Sequence, residues 1–343
     1  MVFPNVELEN SRVLVAEKMG LKLDPRNKSD LAVVVLVSTI YSIDLISAVF
    51  VVLFRKYPPL RSKCPLTMVA MFIASIFWLI GDLQTNGHVT LQGSTLTDCR
   101  VWSLWSQVVL GVFCSTTLLA VRSYIFYRVF TQNLPAKGLQ FLLPLIIYFS
   151  CLFIIGIVFT AVGPSRSAEY VPALDLCSLT HALKVTTFVV LWITDVFTCL
   201  ITWKTRSIKS SFREVWEMCV TCLIVFIALI TNTIIRFKHP LYPLNRHFRI
   251  ALTLVDAACI NVLWWWIMTK PLYCRIFRRS EYLQEWTDKL CKDGMQREYQ
   301  VAANPSDYQK QETESLQVSE PPYNLHYDAD AQYSSSRMSF RYS

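Results

Sequence analysis

Seven apolar segments lie between Leu31 and Met268, and each is long enough to cross a lipid bilayer. A helix needs about 20 residues to span the hydrocarbon core, at about 1.5 Å of rise per residue. Lipid offers the backbone no hydrogen bonds, so only helices or closed barrels can cross it. Because these segments are continuously apolar, whereas barrel strands alternate, the sequence predicts an all-α membrane protein.

Short polar connections separate the segments and favour an antiparallel seven-transmembrane helix bundle. The composition agrees, with 53% hydrophobic and 17% charged residues. The second segment is short, and we expect its helix to continue through Asp82 and Leu83. The predicted spans are Leu31–Phe54, Pro65–Ile80, Val101–Tyr127, Leu139–Val162, Val185–Trp203, Met218–Ile235 and Ile250–Met268.

Composition divides the chain into four parts. A polar head (1–30) precedes the bundle (31–270), which is followed by an amphipathic juxtamembrane segment (271–292) and a polar tail (293–343). Apolar residues recur at helical spacing from Ile276 to Leu290, which is typical of a helix lying on the membrane surface. The tail is rich in Pro and Ser, so we expect disorder there, with either regulatory phosphorylation or a merely solubilising role.

The distribution of Lys and Arg predicts the orientation. Loops on the side of the tail carry more of them, which places the head outside and the C-terminus in the cytoplasm, although the head and the last outer loop are also basic. We therefore expect a multi-pass protein of the plasma membrane. Asn27-Lys28-Ser29 is a glycosylation pattern on the outer side, but it lies close to the first span.

Cysteine placement agrees with this orientation. Of eleven cysteines, only Cys99 and Cys177 fall in the predicted outer loops, whereas the other nine lie in spans or on the cytoplasmic side. An oxidising compartment would bridge such a pair. The alternative is two unpaired loop thiols.

Polar residues inside the spans are costly in lipid and are therefore the first candidates for function. Arg122 lies near the cytoplasmic end of the third span, where it could contact a partner protein or simply extend to lipid phosphates. The acidic residues deeper in the bundle could bind a ligand or ion, or could fix helix packing through hydrogen bonds. The remaining intramembrane polar candidates are Asp44, Asp82, Asp195, Asn232, Asp256 and Asn261.

The last outer loop reads R-F-K-H-P-L-Y-P-L-N-R-H-F-R over residues 236–249. Such a concentration of cations at the mouth of a bundle would attract an anionic ligand. The alternative is contact with lipid headgroups. The candidate residues are Arg236, Lys238, His239, Arg246, His247 and Arg249.

Several functions are disfavoured by what the sequence lacks. The last span, Ile250–Met268, has no lysine that could form a retinal Schiff base. We find no cluster of His and carboxylates at one depth, no phosphate-binding loop and no credible Ser-His-Asp pattern. We therefore expect neither an enzyme nor a bound metal or cofactor, and no nucleic-acid partner.

Four motifs carry a resemblance to a known family. They are Y-P-P-L-R-S-K (57–63), I-G-D-L-Q-T-N-G-H (80–88), C-R-V-W (99–102) and L-A-V-R-S-Y (119–124). Together with seven spans and the cysteine pair, they resemble the G-protein-coupled receptor module of fungi. That module is often joined to an RGS domain and is grouped loosely with family 3 receptors. The resemblance covers roughly residues 30–290.

The resemblance implies signalling from an unidentified extracellular ligand to a heterotrimeric G protein through rearrangement of the bundle. Cys274 lies just beyond the last span and is a lipidation candidate by its position beside the membrane, where the alternative is an inert thiol. The residues expected to contact the G protein are Arg122, Tyr124, Arg61, Lys63, Lys204, Arg206, Lys209 and Arg213.

The chain departs from better-known receptors in four respects. Val121-Arg122-Ser123 lacks the acidic and aromatic neighbours of the rhodopsin-like motif, and the last span lacks Asn-Pro-x-x-Tyr. The head is too short for a family 3 ligand domain, and the tail is too short for an RGS domain. Two other functions therefore remain open: a transporter or channel lined by Asp44, Asp195 and Asp256, and a non-signalling membrane scaffold.

Overall fold

The computed structural model describes residues 6–132, 134, 136, 138–207 and 214–293. Within these residues seven helices are long and apolar enough to cross a membrane, which confirms the predicted all-α seven-helix fold. In chain order the helices are α1 (Val6–Lys18), α2 (Lys28–Leu53), α3 (Pro58–Arg61), α4 (Pro65–Thr85), α5 (Arg100–Val129), α6 (Leu139–Ala161), α7 (His181–Lys204), α8 (Glu214–Lys238), α9 (Arg246–Phe277) and α10 (Arg279–Asp293).

A hairpin and four short turns complete the described structure. Strands β1 (Ala168–Val171) and β2 (Leu176–Leu179) pair antiparallel between α6 and α7. The 3₁₀ turns are Thr95–Thr97, Pro164–Arg166, Thr205–Ser207 and Tyr242–Leu244. The seven spans are α2 and α4 to α9. The end of the bundle that carries Cys99 and Cys177 is called the outer end, following the predicted orientation. The opposite end is called the inner end.

Local sequence signals set the helix starts. Asn27 caps α2: its side chain accepts from the Ser29 amide at 2.8 Å, while the Asp30 carboxylate accepts from the Asn27 amide at 3.0 Å. This reciprocal pair is a capping box, which satisfies amides that no helical carbonyl can reach. Asn245 caps α9 in a similar way, through the His247 amide at 3.0 Å.

The last span is longer than the sequence predicted. Helix α9 continues through Pro271 to Phe277 instead of ending near Met268. The amphipathic helix α10 therefore begins at Arg279, later than residue 271. Its apolar face is buried through Leu283 and Trp286.

Helices α4 and α5 approach very closely, and two glycines allow it. A Cβ atom on Gly81 would collide with Gln107 Cβ, and one on Gly111 would lie 2.7 Å from Trp78 Cα. The outer half of α5, Arg100–Phe113, is π-helical, a wider helix that is rare in long runs. Because α5 contacts α4, α6 and α7, it is the central helix of the bundle.

The main apolar core lies between α2, α4 and α9. Trp264 is fully buried there, with its ring 5.3 Å from that of Phe72, and its indole donates to Ser47 Oγ at 2.7 Å. Tyr41 also stacks on Phe72, with ring centroids 5.9 Å apart. The indole thus fills the core and satisfies its one polar atom within it.

Residues of the head and of the β1–β2 hairpin together form an outer cap over the bundle. Cys99 and Cys177 form a disulfide, with Cα atoms 5.7 Å apart, as the sequence predicted. Arg26 is buried beneath α1 and pairs with Asp175 at 2.8 Å and with Glu9 at 3.3 Å. Burial and the neighbouring guanidinium of Arg12 lower the pKa of Arg26. The head is therefore tied to the hairpin loop by buried ion pairs.

Candidate functional site

A cavity lies between α4, α5, α7, α8 and α9, with about 1070 Å³ of empty space including its open side. Most of its wall is apolar, from residues such as Phe188 and Leu263. Its polar lining residues are Gln107, Ser115, Thr116, Lys184, Thr187, Thr194, Asp195, Thr198, Asn232, Arg236 and Asp256. A mostly apolar cavity with a few polar groups is the usual form of a small-molecule site.

Arg236 on α8 closes the outer part of the cavity. It lies 3.3 Å from an Asp82 oxygen and 3.9 Å from an Asp256 oxygen. It also donates to Asn232 at 3.2 Å and to the Tyr242 hydroxyl at 3.0 Å. Burial raises the pKa of Tyr242 to about 12, so this hydroxyl stays protonated. One guanidinium therefore faces two carboxylates, and the group carries one excess negative charge when both are ionised.

Asp82 connects this group to a second ion pair. Its other oxygen accepts from Asn86 at 2.7 Å and from Thr253 at 3.0 Å. Thr253 in turn lies 3.1 Å from His88 Nε2, and His88 Nδ1 lies 2.9 Å from Asp30. Buried polar contacts thus run continuously from the first span to the last two.

Arg249 completes the network at the outer end of α9. It donates to both oxygens of Asp30, at 2.8 and 2.7 Å, and to the backbone carbonyls of Asp24 and Pro25. The guanidinium is 1% exposed, so these bonds lie out of contact with water. Such two-pronged contacts between arginine and a carboxylate are among the strongest polar contacts in proteins.

This network corrects the predicted basic mouth. Arg236 and Arg249 are buried and neutralised by carboxylates of the bundle, so they are not free surface cations. The loop sequence alone could not show this, because the carboxylates that pair with these arginines come from other parts of the chain. Lys238, His239 and His247 are exposed and Arg246 is partly exposed, with the His239 ring stacked on Phe248 at 4.5 Å.

The other intramembrane candidates are Asp44, Asp195 and Asn261. Asp44 is fully buried in α2, and neither of its oxygens makes a well-formed hydrogen bond to a described residue, although the Trp265 side chain interacts with it. Asp195 lines the cavity from α7. Asn261 donates to the Ala257 carbonyl at 2.7 Å within α9.

At the inner end a single carboxylate joins three elements. Glu217, on the first turn of α8, lies 2.7 Å from Lys63 Nζ in the loop after α3 and 3.8 Å from Arg122 Nη2 on α5. Both cations are buried. None of the Arg122 nitrogens hydrogen-bonds to a described residue, and its guanidinium lies 5.3 Å from the Phe126 ring.

The other described residues expected to contact a G protein lie at the inner end of the bundle. Tyr124 stacks on Phe141 at 5.7 Å, and Arg61, Lys204 and Arg206 are exposed. Lys209 and Arg213 lie outside the described residues, as does the tail beyond residue 293.

The two predicted modification sites have defined surroundings. The Asn27 side chain is the cap of α2, with its oxygen engaged by the Ser29 amide. Cys274 is buried near the end of α9, a helix that packs against the juxtamembrane helix α10. Within the part of the chain that the structure describes, no three His, Cys, Asp or Glu side chains come together as a metal site would require.

Sequence reasoning missed several residues that the structure brings into these sites. Glu217 lies outside the predicted span and therefore looked like an ordinary loop charge. His88 and Gln107 gave no signal of their own, although His88 closes one of the quoted motifs. Arg26 and Asp175 are 149 residues apart, and no local pattern connects them.

No protein-family model matches the chain, and a search of the curated proteins finds no match either.

Proposed function

We propose that this chain is a G-protein-coupled receptor that passes an extracellular signal to heterotrimeric G proteins. The seven-helix bundle, the outer disulfide and the motif-level resemblance all support this function. The observation that carries the proposal is that Glu217 makes ionic contacts with both Lys63 and Arg122. These two contacts together are called the inner ion pair.

The ion pair connects the inner end of α8 to the rest of the bundle. Lys63 and Arg122 belong to the first inner loop and to α5, so α8 cannot move outward without breaking both contacts. A pair between exposed charges contributes little, but these cations are buried and the carboxylate is only 18% exposed. Losing one partner would leave a buried charge unpaired.

Arg122 is suited to receive a partner once α8 has moved. Its guanidinium is 1% exposed and lacks hydrogen bonds to described residues. A buried cation without acceptors gains strongly from new carbonyl or carboxylate oxygens. A protein segment entering the inner end could supply such oxygens, and its binding would then favour the open arrangement of the helices.

Nucleotide exchange tests this proposal. The purified chain in nanodiscs is mixed with Gα subunits, and GTPγS loading is compared between wild type, Glu217→Gln and Arg122→Ala. Glu217→Gln should raise basal exchange by several-fold, because removing about 1.4 kcal/mol from the closed state shifts a two-state balance about tenfold. Arg122→Ala should abolish exchange, because the partner loses its cation.

Asp288→Asn is the matched control, since it removes an exposed carboxylate from α10 on the same side of the bundle. It should leave exchange unchanged. Basal exchange that is equal in wild type and Glu217→Gln would contradict the proposed role of the ion pair. Exchange that is absent with every Gα tested would favour a transporter.

A transporter or channel is the second candidate, and Asp44 is the observation that favours it. A fully buried carboxylate without a well-formed hydrogen bond is costly unless it is protonated or binds an ion. Asp44→Asn and Asp256→Asn should then abolish ion-dependent flux in proteoliposomes. A receptor would show no flux with or without these substitutions.

A further inference from the structure

The interhelical cavity has a polarity that differs between its two ends. Lys184 and Arg236 lie at the outer end, where Arg236 is already paired with carboxylates. Asp195 lies eleven residues beyond Lys184 on α7, which places it about 16 Å deeper along the helix. The deep end therefore carries a carboxylate and the outer end carries the cations.

No described residue supplies Asp195 with a counterion. No hydrogen bond or ion pair from a described residue reaches its carboxylate, although the residue is 7% exposed and lines the cavity. An ionised carboxylate out of contact with bulk water is stable only beside a cation or several donors. Lys184 is partly exposed at the outer end, whereas Asp195 is buried and lines the cavity.

The hydroxyl groups of the cavity wall reinforce this preference. Ser115 and Thr116 both donate to the carbonyl of Val112, at 3.1 and 2.7 Å. Thr198 donates to the Thr194 carbonyl at 2.7 Å, and Thr187 donates to the Leu183 carbonyl in the same way.

A hydroxyl has one proton to donate, so each of these oxygens can only accept from a molecule in the cavity. Beside Arg236, Asp256 Oδ2 and Gln107 Oε1 are two further buried oxygens without a hydrogen-bond partner among the described residues. Acceptors therefore dominate the described polar surface of the cavity away from Lys184 and Arg236.

We propose that this cavity binds an organic cation, namely a protonated amine on an apolar body, with the ammonium paired to Asp195. The amine supplies the charge and the N–H donors that the deep end lacks, and the apolar body fits the wall of Phe188, Leu191 and Leu263. Lys184 at the outer end repels a second cation and so favours the orientation with the ammonium inward. This inference names the ligand class of the proposed receptor and rests on that function only for its physiological meaning.

Direct binding tests the inference without any G protein. Phenethylamine, phenylethanol and phenylacetate have the same shape but carry a positive charge, no charge and a negative charge. Each is titrated onto the purified chain in nanodiscs by saturation-transfer NMR, with empty nanodiscs subtracted. Wild type should bind phenethylamine saturably and more tightly than the other two.

Asp195→Asn keeps the size of the side chain and removes its charge. It should weaken phenethylamine binding by about tenfold or more, because a charge-assisted contact is replaced by a neutral one. Phenylethanol binding and the melting temperature should not change. Thr198→Val provides an independent test that leaves every charge in place. It should weaken the binding of phenethylamine by a few-fold.

Two results would overturn the inference. One is equal binding of phenethylamine to wild type and Asp195→Asn, or no saturable binding to wild type at all. The other is preferred binding of phenylacetate that is lost in Lys184→Gln, which would make the outer cations the recognition site. Asp98→Asn, in an exposed outer loop, is the control and should change none of the three affinities.

Discussion

Arg249 and Asp30 join the outer ends of the last and first spans through two buried hydrogen bonds, of 2.8 and 2.7 Å. Asp30 also accepts from the Asn27 amide that begins α2. The same carboxylate therefore sets the start of one span and holds another against it. Because the contact closes the ring of helices, it should contribute to the stability of the whole bundle.

Asp30→Asn should destabilise the bundle by about 3–5 kcal/mol, because it leaves the Arg249 guanidinium buried without its counterion. Thermal unfolding in nanodiscs measures this effect. Asp98→Asn, which changes an exposed carboxylate of an outer loop, should stay within about 0.5 kcal/mol of wild type.

The double substitution Asp30→Asn with Arg249→Met distinguishes an ion pair from general packing. Removing the unpaired guanidinium should recover part of the lost stability. The double variant should therefore lose less stability than the two single variants lose together. Fully additive losses would show that the two side chains act independently.

Cys99→Ser should lower the unfolding temperature and reduce delivery to the cell surface. The bridge closes a loop with a sequence separation of 78 residues, for which the chain-entropy model gives about 4.5 kcal/mol. Helices that persist in the unfolded state make this an upper value. A reducing agent should lower the wild-type melting temperature by the same amount.

Cys219→Ser is the matched control for the bridge, because this thiol is free and exposed on α8. It should change neither the melting temperature nor surface delivery. Normal stability of Cys99→Ser would mean that the outer cap is held by its ion pairs alone.

Gly81→Ala and Gly111→Ala should each be strongly destabilising. In both cases the new methyl group would lie under 3.0 Å from backbone atoms of the facing helix, which cannot move aside without separating α4 from α5. Overpacking of this kind costs about 1–3 kcal/mol or more. Unfolding in nanodiscs again provides the measurement.

Gly156→Ala is a control on a neighbouring helix pair. Its methyl group would also come within 2.8 Å of an atom, but that atom is the side-chain Cγ2 of Val109, which can adjust. A smaller loss than at Gly81 is therefore expected. Equal losses at Gly81 and Gly156 would contradict a backbone contact between α4 and α5.

The spans could be predicted because the backbone of an apolar segment in lipid must form its hydrogen bonds within the segment, as a helix. Every predicted span overlaps a helix, and Asp82 lies within α4 as expected. The ends were harder to predict: α9 passes Pro271 because tertiary contacts hold both halves of the helix, and Leu272 beyond the proline is buried in the core. The π-helical outer half of α5 has no known sequence signal.

The sites were harder to predict than the fold because they depend on partners from distant spans. The sequence identified Asp82, Asn232, Arg236 and Asp256 as costly intramembrane or mouth residues, but not as one group. Arg236 and Arg249 looked like surface cations because their carboxylates lie elsewhere in the chain. The sequence shows how far along its helix each residue lies, but it does not show how each helix is rotated about its own axis.

Lys63 and Glu217 provide a last test, by a double-mutant cycle. Lys63→Gln and Glu217→Gln each break the 2.7 Å contact, so each should lower the melting temperature and raise basal GTPγS exchange. Since both remove the same bond, the double variant should be little worse than the more severe single variant, with a coupling of about 0.5–3 kcal/mol. The pair Lys63→Gln with Asp30→Asn, which lie at opposite ends of the bundle, should instead be additive. Additivity in the first pair would mean that Glu217 holds α8 through Arg122 alone.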